Sequence, residues 1–404
     1  MKTNTTGENQ KRILVVEGHP KYFVSHRLPW AQAAREAGYE IHVTALKTGD
    51  GDLVREEGFR YHELAEQDRS KNPATELRFL YRLYHLLCAL EPDLVHFITL
   101  RAVLYGALPV RLARVPAVLN SVTGLGFLFS ENTWSVRALR WGIMRFLTYA
   151  LHHPNQITTF QNPDDAEIFV SRGVVPEART AVTPGSGVDP DRFGYADGTA
   201  VENGQVPIVM LPTRLLWQKG VGVFVDAARQ LRENGVAAQF ALVGDTDPEN
   251  PGAVPRAQIE AWDDEGPIEW WGRQPPSEMP SVLGQAHVVC LPSHYREGVP
   301  KVLIEAASCG RPLVTTDVPG CREIVNDGEN GFLVPARDAE ALADRIATLI
   351  TDPSLRETMG RRGRERVEAH FTAEQVAETI VGAYDRLLAE APTVVGPDVA
   401  REEG

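Results

Sequence analysis

Arg12-Ile13-Leu14-Val15-Val16, then a loop, a helical stretch from Pro29 to Ala37 closed by Gly38, then Glu40-Ile41-His42-Val43-Thr44: the architecture of the chain unfolds from this opening. Two short apolar runs joined through a loop and a helix form a β–loop–α–β unit, and such units build parallel sheets. The rhythm recurs. A helix over Glu76–Ala89 leads through Pro92 to a strand at Asp93–Phe97. Strands at Ala117–Ser121, Gln156–Phe160 and Arg179–Thr183 follow, with a long helix from Trp134 to His152 among them. A turn cluster, Pro184-Gly185-Ser186-Gly187-Val188-Asp189-Pro190, then gives way to a polar stretch reaching Pro207.

The second half restarts the pattern. Strands are expected at Pro207–Pro212, Gln239–Val243, Ile268–Trp271, His287–Leu291 and Pro312–Thr316. Helices are expected at Gly220–Glu233, Ser277–Leu283 and Pro300–Ser308, with further helix to Thr372–Ala389. A chain of 404 residues suits two domains at about 100–200 residues each. We therefore expect an α/β protein of two Rossmann-like, doubly wound domains facing across a cleft, residues 1–190 and 191–371. Residues 372–389 form a final helix, and residues 390–404 a disordered tail. Ligands of such sheets bind at the carboxyl ends of the strands, so the shared cleft is the expected site.

Composition narrows the partners. The net charge is −13, yet residues 1–192 hold 22 Lys+Arg against 21 Asp+Glu, so the second half carries the acidity. An acidic half disfavours nucleic acid, while the near-neutral half leaves local membrane contact open. The polar start, Met1–Gln10, lacks the apolar core of a secretory signal, and no apolar run reaches the ~18 residues of a membrane span. Cys88, Cys290, Cys309 and Cys321 form no C-x-x-C pair and read as free thiols of a reducing cytosol.

The sharpest chemical signal is Pro292-Ser-His-Tyr-Arg-Glu297-Gly298-Val299-Pro300-Lys301-Val-Leu-Ile-Glu305, directly after an apolar strand. Pro300 suits a first helical turn, and Gly298 permits close approach of backbone to a ligand. The free N–H groups of that helix start favour an anion such as a diphosphate, with Glu297 beside it to accept from sugar hydroxyls. The second signal is Pro212-Thr-Arg214-Leu-Leu-Trp-Gln-Lys219-Gly220. Arg214 offers a planar fork and Lys219 a compact charge, enough to neutralise a nucleoside diphosphate leaving group without a metal.

With these motifs in place the chain resembles glycosyltransferase family 4, the retaining transferases of the GT-B fold, nearest their capsular and lipid-linked-oligosaccharide branch. Glu297 to Glu305 is similar to the family's E-x7-E motif. Val122-Thr123-Gly124-Leu-Gly126, Phe160-Gln-Asn162-Pro-Asp-Asp165, Pro184–Asp189, Cys309–Glu323 and Asn326–Pro335 match as well. The resemblance spans roughly residues 12–385 and implies a nucleotide-diphosphate sugar donor, UDP-linked, with neither cofactor nor metal. It implies that Arg214 and Lys219 hold the diphosphate, Glu297 the transferred sugar, Glu305 the ribose, and the backbone of Gly298, Val299, Pro300 and Lys301 the distal phosphate or sugar. Gly272 and Arg273 match the segment that holds the base, and Gly244 and Asp245 end a strand on the same cleft. Ser25, His26, Arg27, Thr123, Gly124, Asn162, Gly185 and Ser186 would line the acceptor side. The final helix would cross back onto the first domain. The partner is then a glycan acceptor, carried in this branch on a polyprenyl diphosphate, which places the protein in the cytoplasm or at the inner face of the cell membrane.

The chain departs from that pattern twice. The loop Glu17–Arg27 holds one glycine where many members are glycine-rich, and His96-Phe97-Ile98 lacks the second histidine of the usual H-x-H. His96 reads two ways, as an assistant in proton transfer or as a satisfied core histidine. Gly185-Ser186 also reads as a plain interdomain turn. Asp189-Pro-Asp191 and Asp245-Thr-Asp247 resemble D-x-D metal motifs too short to argue from. In Trp134–His152, Arg137, Arg140 and Arg145 fall within about 140° of arc. Together with Trp134 and Trp141 they suit a membrane-interface helix, or else a buried helix with paired arginines. Two competitors share the fold: a sugar-nucleotide epimerase, and a non-catalytic protein that kept the donor site.

Overall fold

The computed structural model describes residues 10–47, 49–64, 73–125, 134–196 and 206–391. The first half runs β1 (Arg12–Glu17), α1 (Pro20–His26), α2 (Leu28–Glu36), β2 (Glu40–Ala45), α3 (Gly51–Glu56), β3 (Arg60–His62), α4 (Pro73–Leu90), β4 (Leu94–Ile98), α5 (Leu100–Leu112), β5 (Ala117–Val122), α6 (Trp134–Ala150), β6 (Gln156–Phe160), α7 (Pro163–Val170) and β7 (Thr180–Val182). The second runs β8 (Ile208–Pro212), α8 (Val221–Glu233), β9 (Gln239–Val243), α9 (Arg256–Glu265), β10 (Ile268–Gly272), α10 (Met279–Gln285), β11 (Val288–Leu291), α11 (Lys301–Ser308), β12 (Leu313–Thr316), α12 (Cys321–Ile324), β13 (Gly331–Val334), α13 (Ala339–Thr351), α14 (Pro353–His370) and α15 (Ala373–Ala389).

Among the described residues these strands form two parallel sheets, ordered β3-β2-β1-β4-β5-β6-β7 and β10-β9-β8-β11-β12-β13. Strands such as β4, β6 and β11 are buried at every position, as parallel strands covered by helices on both faces must be. In each sheet the order reverses once, between β1 and β4 and between β8 and β11. A crevice opens at such a reversal, beyond the carboxyl ends of the strands.

α15 closes the molecule. Thr372 and Gln375 form a reciprocal capping box that fixes its start. Its Val376, Ile380, Tyr384 and Leu387 are buried with Ile13, Trp30 and Leu119 of the first domain. At about 1.5–3 kcal/mol per buried apolar side chain, these four hold the helix firmly across the domain junction.

The loop expected between β1 and the first helix contains a helix of its own, α1, with Pro20 at its start and the His19 side chain accepting from Lys21 N–H. The sequence hides it because histidine is an unusual cap and Tyr22, Phe23 and Val24 favour strands. The tail expected from residue 390 lies, from residue 392 onward, outside the described residues.

Candidate functional site

The segment after β11 forms one wall of the crevice. Glu297 is 6% exposed, and its Oε1 lies 2.5 Å from Lys219 Nζ and 2.8 Å from the Ser293 hydroxyl that donates to it. Lys219 belongs to the turn after β8. Burial works against its charge, but the Glu297 carboxylate more than offsets this and holds the ammonium above its ordinary range. Arg214, five residues earlier, is exposed and has no ion-pair partner among the described residues. One cation of the pair is thus committed to a carboxylate and the other stands free.

Pro300 is the cap residue of α11, one place before the helical turn in which the sequence put it. No side chain caps this end: Leu303 N–H turns back to the Pro300 carbonyl at 3.0 Å, and the N–H groups of Lys301 and Val302 have no partner among the described residues. Lys301 opens the helix. Its Nζ lies 3.4 Å from Glu305 Oε1 and donates to the Ser25 carbonyl at 2.6 Å. Burial pushes the Glu305 carboxyl up, with Lys301 opposing. Gly244 N–H donates to the Gly272 carbonyl at 2.8 Å, and Thr213 N–H to the Val243 carbonyl at 2.9 Å. These contacts place Gly244 and Asp245 beside the Arg214 turn, with Gly272 one strand further out and Arg273 exposed next to it.

The first domain presses on this wall. Asn162 caps α7 through its Oδ1 and donates from Nδ2 to the Glu297 carbonyl at 3.3 Å. Gln161 Oε1 accepts from Val299 N–H at 3.1 Å, and Arg296 Nη2 donates to Asp165 at 2.8 Å. A Cβ on Gly124 would lie 2.6 Å from Gly298 N, and one on Gly298 would lie 2.4 Å from the Thr123 carbonyl. Gly124 is also at φ +126°, so both glycines are required by backbone meeting backbone across the cleft. Gly185 packs on Val299, while Arg27, held by Glu17 at 3.0 Å, reaches the Ser186 hydroxyl at 3.5 Å. Lys301, in the first turn of α11, thus touches Ser25, and Arg214 lies near enough to act on the charge of His26.

Both halves of the chain resemble known proteins. A model described as glycosyl transferases group 1 matches residues 199–366, and one described as glycosyl transferase 4-like matches residues 12–162. An N,N'-diacetylbacillosaminyl-diphospho-undecaprenol alpha-1,3-N-acetylgalactosaminyltransferase of Campylobacter jejuni is 25% identical over 371 residues, covering 90% of this chain and 95% of its own. The chain is a glycosyltransferase, a 4-like domain followed by a group 1 domain. Its GT-B fold matches the sucrose-phosphate synthase of Thermosynechococcus elongatus with TM-score 0.78 at 24% identity, over 94% of this chain and 99% of that one. It matches Anabaena HepE, solved with UDP and glucose, with TM-score 0.76 at 19% identity, over 93% of this chain and 100% of that one.

In this transferase His96 is sealed beneath the cleft. It is 1% exposed, its Nδ1 bonded to the Tyr384 hydroxyl and its Nε2 to the Ser121 hydroxyl, both at 2.7 Å. Burial, reinforced by Arg27, pushes its pKa down to about 3. The cavity it borders measures about 20 Å³, room for one water and not for a sugar. The assisting role is therefore corrected: His96 ties α15 to β4.

The two D-x-D motifs have local uses as well. Asp189 caps the turn through Asp191 N–H, and Asp245 accepts from Thr246 N–H. Among the described residues no cluster of three His, Cys, Asp or Glu is placed to hold a metal.

α6 lies apart from the cleft, packed against α5 through buried Met144, Leu147 and Ala150. Its outer face is not a plain arginine stripe. Trp134 and Trp141 are 83% and 72% exposed beside exposed Arg145, while the Arg137 side chain lies outside the described residues. Phe146, Tyr149, Leu108, Leu112, Leu77 and Tyr81 extend this exposed face over α6, α5 and α4. No helix among the described residues is long and apolar enough to cross a membrane.

Sequence reasoning gave no role to Ser293, Gln161 or Tyr384: the first two lie within quoted motifs, Ser293 four residues from its partner Glu297, while Gln161 and Tyr384 act on partners 138 and 288 positions away that no local pattern announces.

Proposed function

We propose that this transferase moves a hexosyl or N-acetylhexosaminyl group from a UDP-sugar to a polyprenyl-diphosphate-linked glycan, with retention of configuration and without a metal. The observation that carries the reading is the meeting of Arg214, Lys219 and the uncapped start of α11 at the β8/β11 reversal. They form a fixed positive site for the charge that develops on a departing diphosphate. Arg214 takes phosphate oxygens through its free fork. Lys219, anchored by Glu297, approaches them from a set direction. Glu297 accepts from the transferred sugar, and Glu305 from the ribose. The acceptor hydroxyl attacks the face from which the diphosphate leaves, and a diphosphate oxygen takes its proton, so no protein base is required. The lipid-linked acceptor named for the Campylobacter relative supports the acceptor class, and the UDP of the HepE structure supports the nucleotide.

The exposed aromatic face of α6 and α5 fits the same substrate. Trp134, Trp141, Phe146 and Tyr149 with Arg145 would rest at the headgroup level of an anionic bilayer and bring the acceptor's diphosphate to the cleft.

The test is turnover. UDP-glucose, UDP-galactose, UDP-N-acetylglucosamine and UDP-N-acetylgalactosamine are each incubated with an undecaprenyl-diphosphate-linked monosaccharide, with and without EDTA, and the product is read by NMR. Release of UDP with an α-linked disaccharide, unchanged by EDTA, supports the proposal. A β-linkage, or loss of turnover with EDTA, contradicts it. Epimerisation of the UDP-sugar without acceptor would favour the isomerase competitor.

A further inference from the structure

The tautomer of one histidine at the cleft is settled by its neighbours. Ser25 Oγ lies 2.7 Å from the Lys21 carbonyl and 2.7 Å from His26 Nδ1. A carbonyl only accepts, so the single hydroxyl proton goes to Lys21, and the Ser25 oxygen must accept from His26. Nδ1 therefore carries the ring proton and Nε2 a bare lone pair. Among the described residues Nε2 has no hydrogen-bond partner. Tyr22 fixes the ring edge-to-face at 5.9 Å. Burial, followed by Arg27, Lys301 and Arg214, pushes the ring's pKa well down, so it stays neutral. Nε2 is thus an acceptor without a protein donor among the described residues, within reach of the charges of Arg27, Lys301 and Arg214.

The position narrows the ligand. Lys301, which opens α11, donates to the carbonyl of Ser25, the residue next to His26. Phosphate oxygens only accept and cannot satisfy a bare imidazole nitrogen. Resting on the donor-site reading above, the group of the donor that carries proton donors beyond the diphosphate is the sugar. Ile98, at the carboxyl end of β4, has no polar side-chain atom to offer it.

We propose that His26 Nε2 accepts a hydrogen bond from a hydroxyl of the transferred sugar, and that Ser25 is the positioning residue that fixes the accepting tautomer. The contact selects among donor sugars by the hydroxyl they present, and it acts on the sugar and not on the nucleotide.

Isothermal titration of UDP and of the four UDP-sugars to wild type, His26→Ala, His26→Gln and Ser25→Ala tests this, with a thermal melt of each variant. His26→Ala should weaken the bound UDP-sugar about fivefold or more while UDP binds as before. His26→Gln, whose amide oxygen can accept, should recover part of the loss, and Ser25→Ala should show a smaller loss of the same kind. Should His26→Ala not fold, the other two variants carry the test. Equal weakening of UDP and UDP-sugar overturns the proposal, as does wild-type binding of UDP-sugars by the variants that fold. A wild type that binds UDP and none of the UDP-sugars overturns it too. A wild type that binds neither UDP nor any UDP-sugar overturns the donor-site reading itself, and the His26 assignment with it.

Discussion

The proposed donor site draws on two cations, Arg214 and Lys219, whose surroundings differ. Arg214 is free and exposed, so Arg214→Met should leave the melting temperature near that of wild type while lowering kcat about 10²–10³-fold, as loss of one preorganised charge does. Lys219 neutralises a buried carboxylate, so Lys219→Met strands Glu297 and should also destabilise the fold, by about 3 kcal/mol. Parallel melts and initial rates separate the two. His96 supplies a pH prediction. Its folded pKa, pushed down to about 3, lies below its unfolded value of 6.5, so the unfolded chain binds the proton first. Stability should therefore fall as pH drops from 6.5 toward 3, at up to about 1.4 kcal/mol per unit for this group. His96→Gln should flatten the slope measured by denaturant melts, leaving the shares of the other buried histidines, among them His26 and His287, which are lowered in the same direction, His287 to about 4. At this scale the sequence is legible where a motif is contiguous. Glu297, Gly298 and Lys301 lie within five residues, and the Arg214–Lys219 turn within six. That Lys219 touches Glu297, or that Tyr384 locks His96, depends on contacts 78 and 288 residues apart, which no local spacing encodes.

Among the elements, strands of Val, Ile and Leu bounded by turns announce themselves through composition, and eleven of the thirteen strands are readable for that reason; the short edge strands β3, Arg60-Tyr-His62, and β13, which starts on Gly331, are not. α1 was not, because seven residues hold too little periodicity and its cap is a histidine. That helix matters, since it carries Ser25 and His26 to the start of α11. The junction of the two domains is set by glycine backbone. Gly124→Ala would drive a methyl to 2.6 Å from Gly298 N at a φ that alanine resists. The variant should keep a folded far-UV spectrum but lose at least about tenfold in kcat/KM, because Gly298 and Val299 would no longer seat against Thr123 and Gln161. A G124A enzyme with wild-type kinetics would show that the two walls need not meet for turnover.

For the whole molecule, the unequal charge of the two halves acquires a use. The near-neutral first domain presents the aromatic face of α6 and α5, and under the proposed membrane contact the acidic second domain would be repelled by an anionic surface. Trp134→Ala/Trp141→Ala should reduce co-sedimentation with phosphatidylglycerol vesicles about tenfold or more, with UDP affinity unchanged, and added salt should weaken the wild type as well. Equal sedimentation of variant and wild type would remove α6 from the membrane account. The proposed transfer needs a diphosphate held at the β8/β11 reversal by Arg214 beside the start of α11. Calorimetric titration of UDP into wild type and Arg214→Ala measures this directly. At least about tenfold weaker binding by a variant that melts like wild type is predicted, and equal affinity would contradict it.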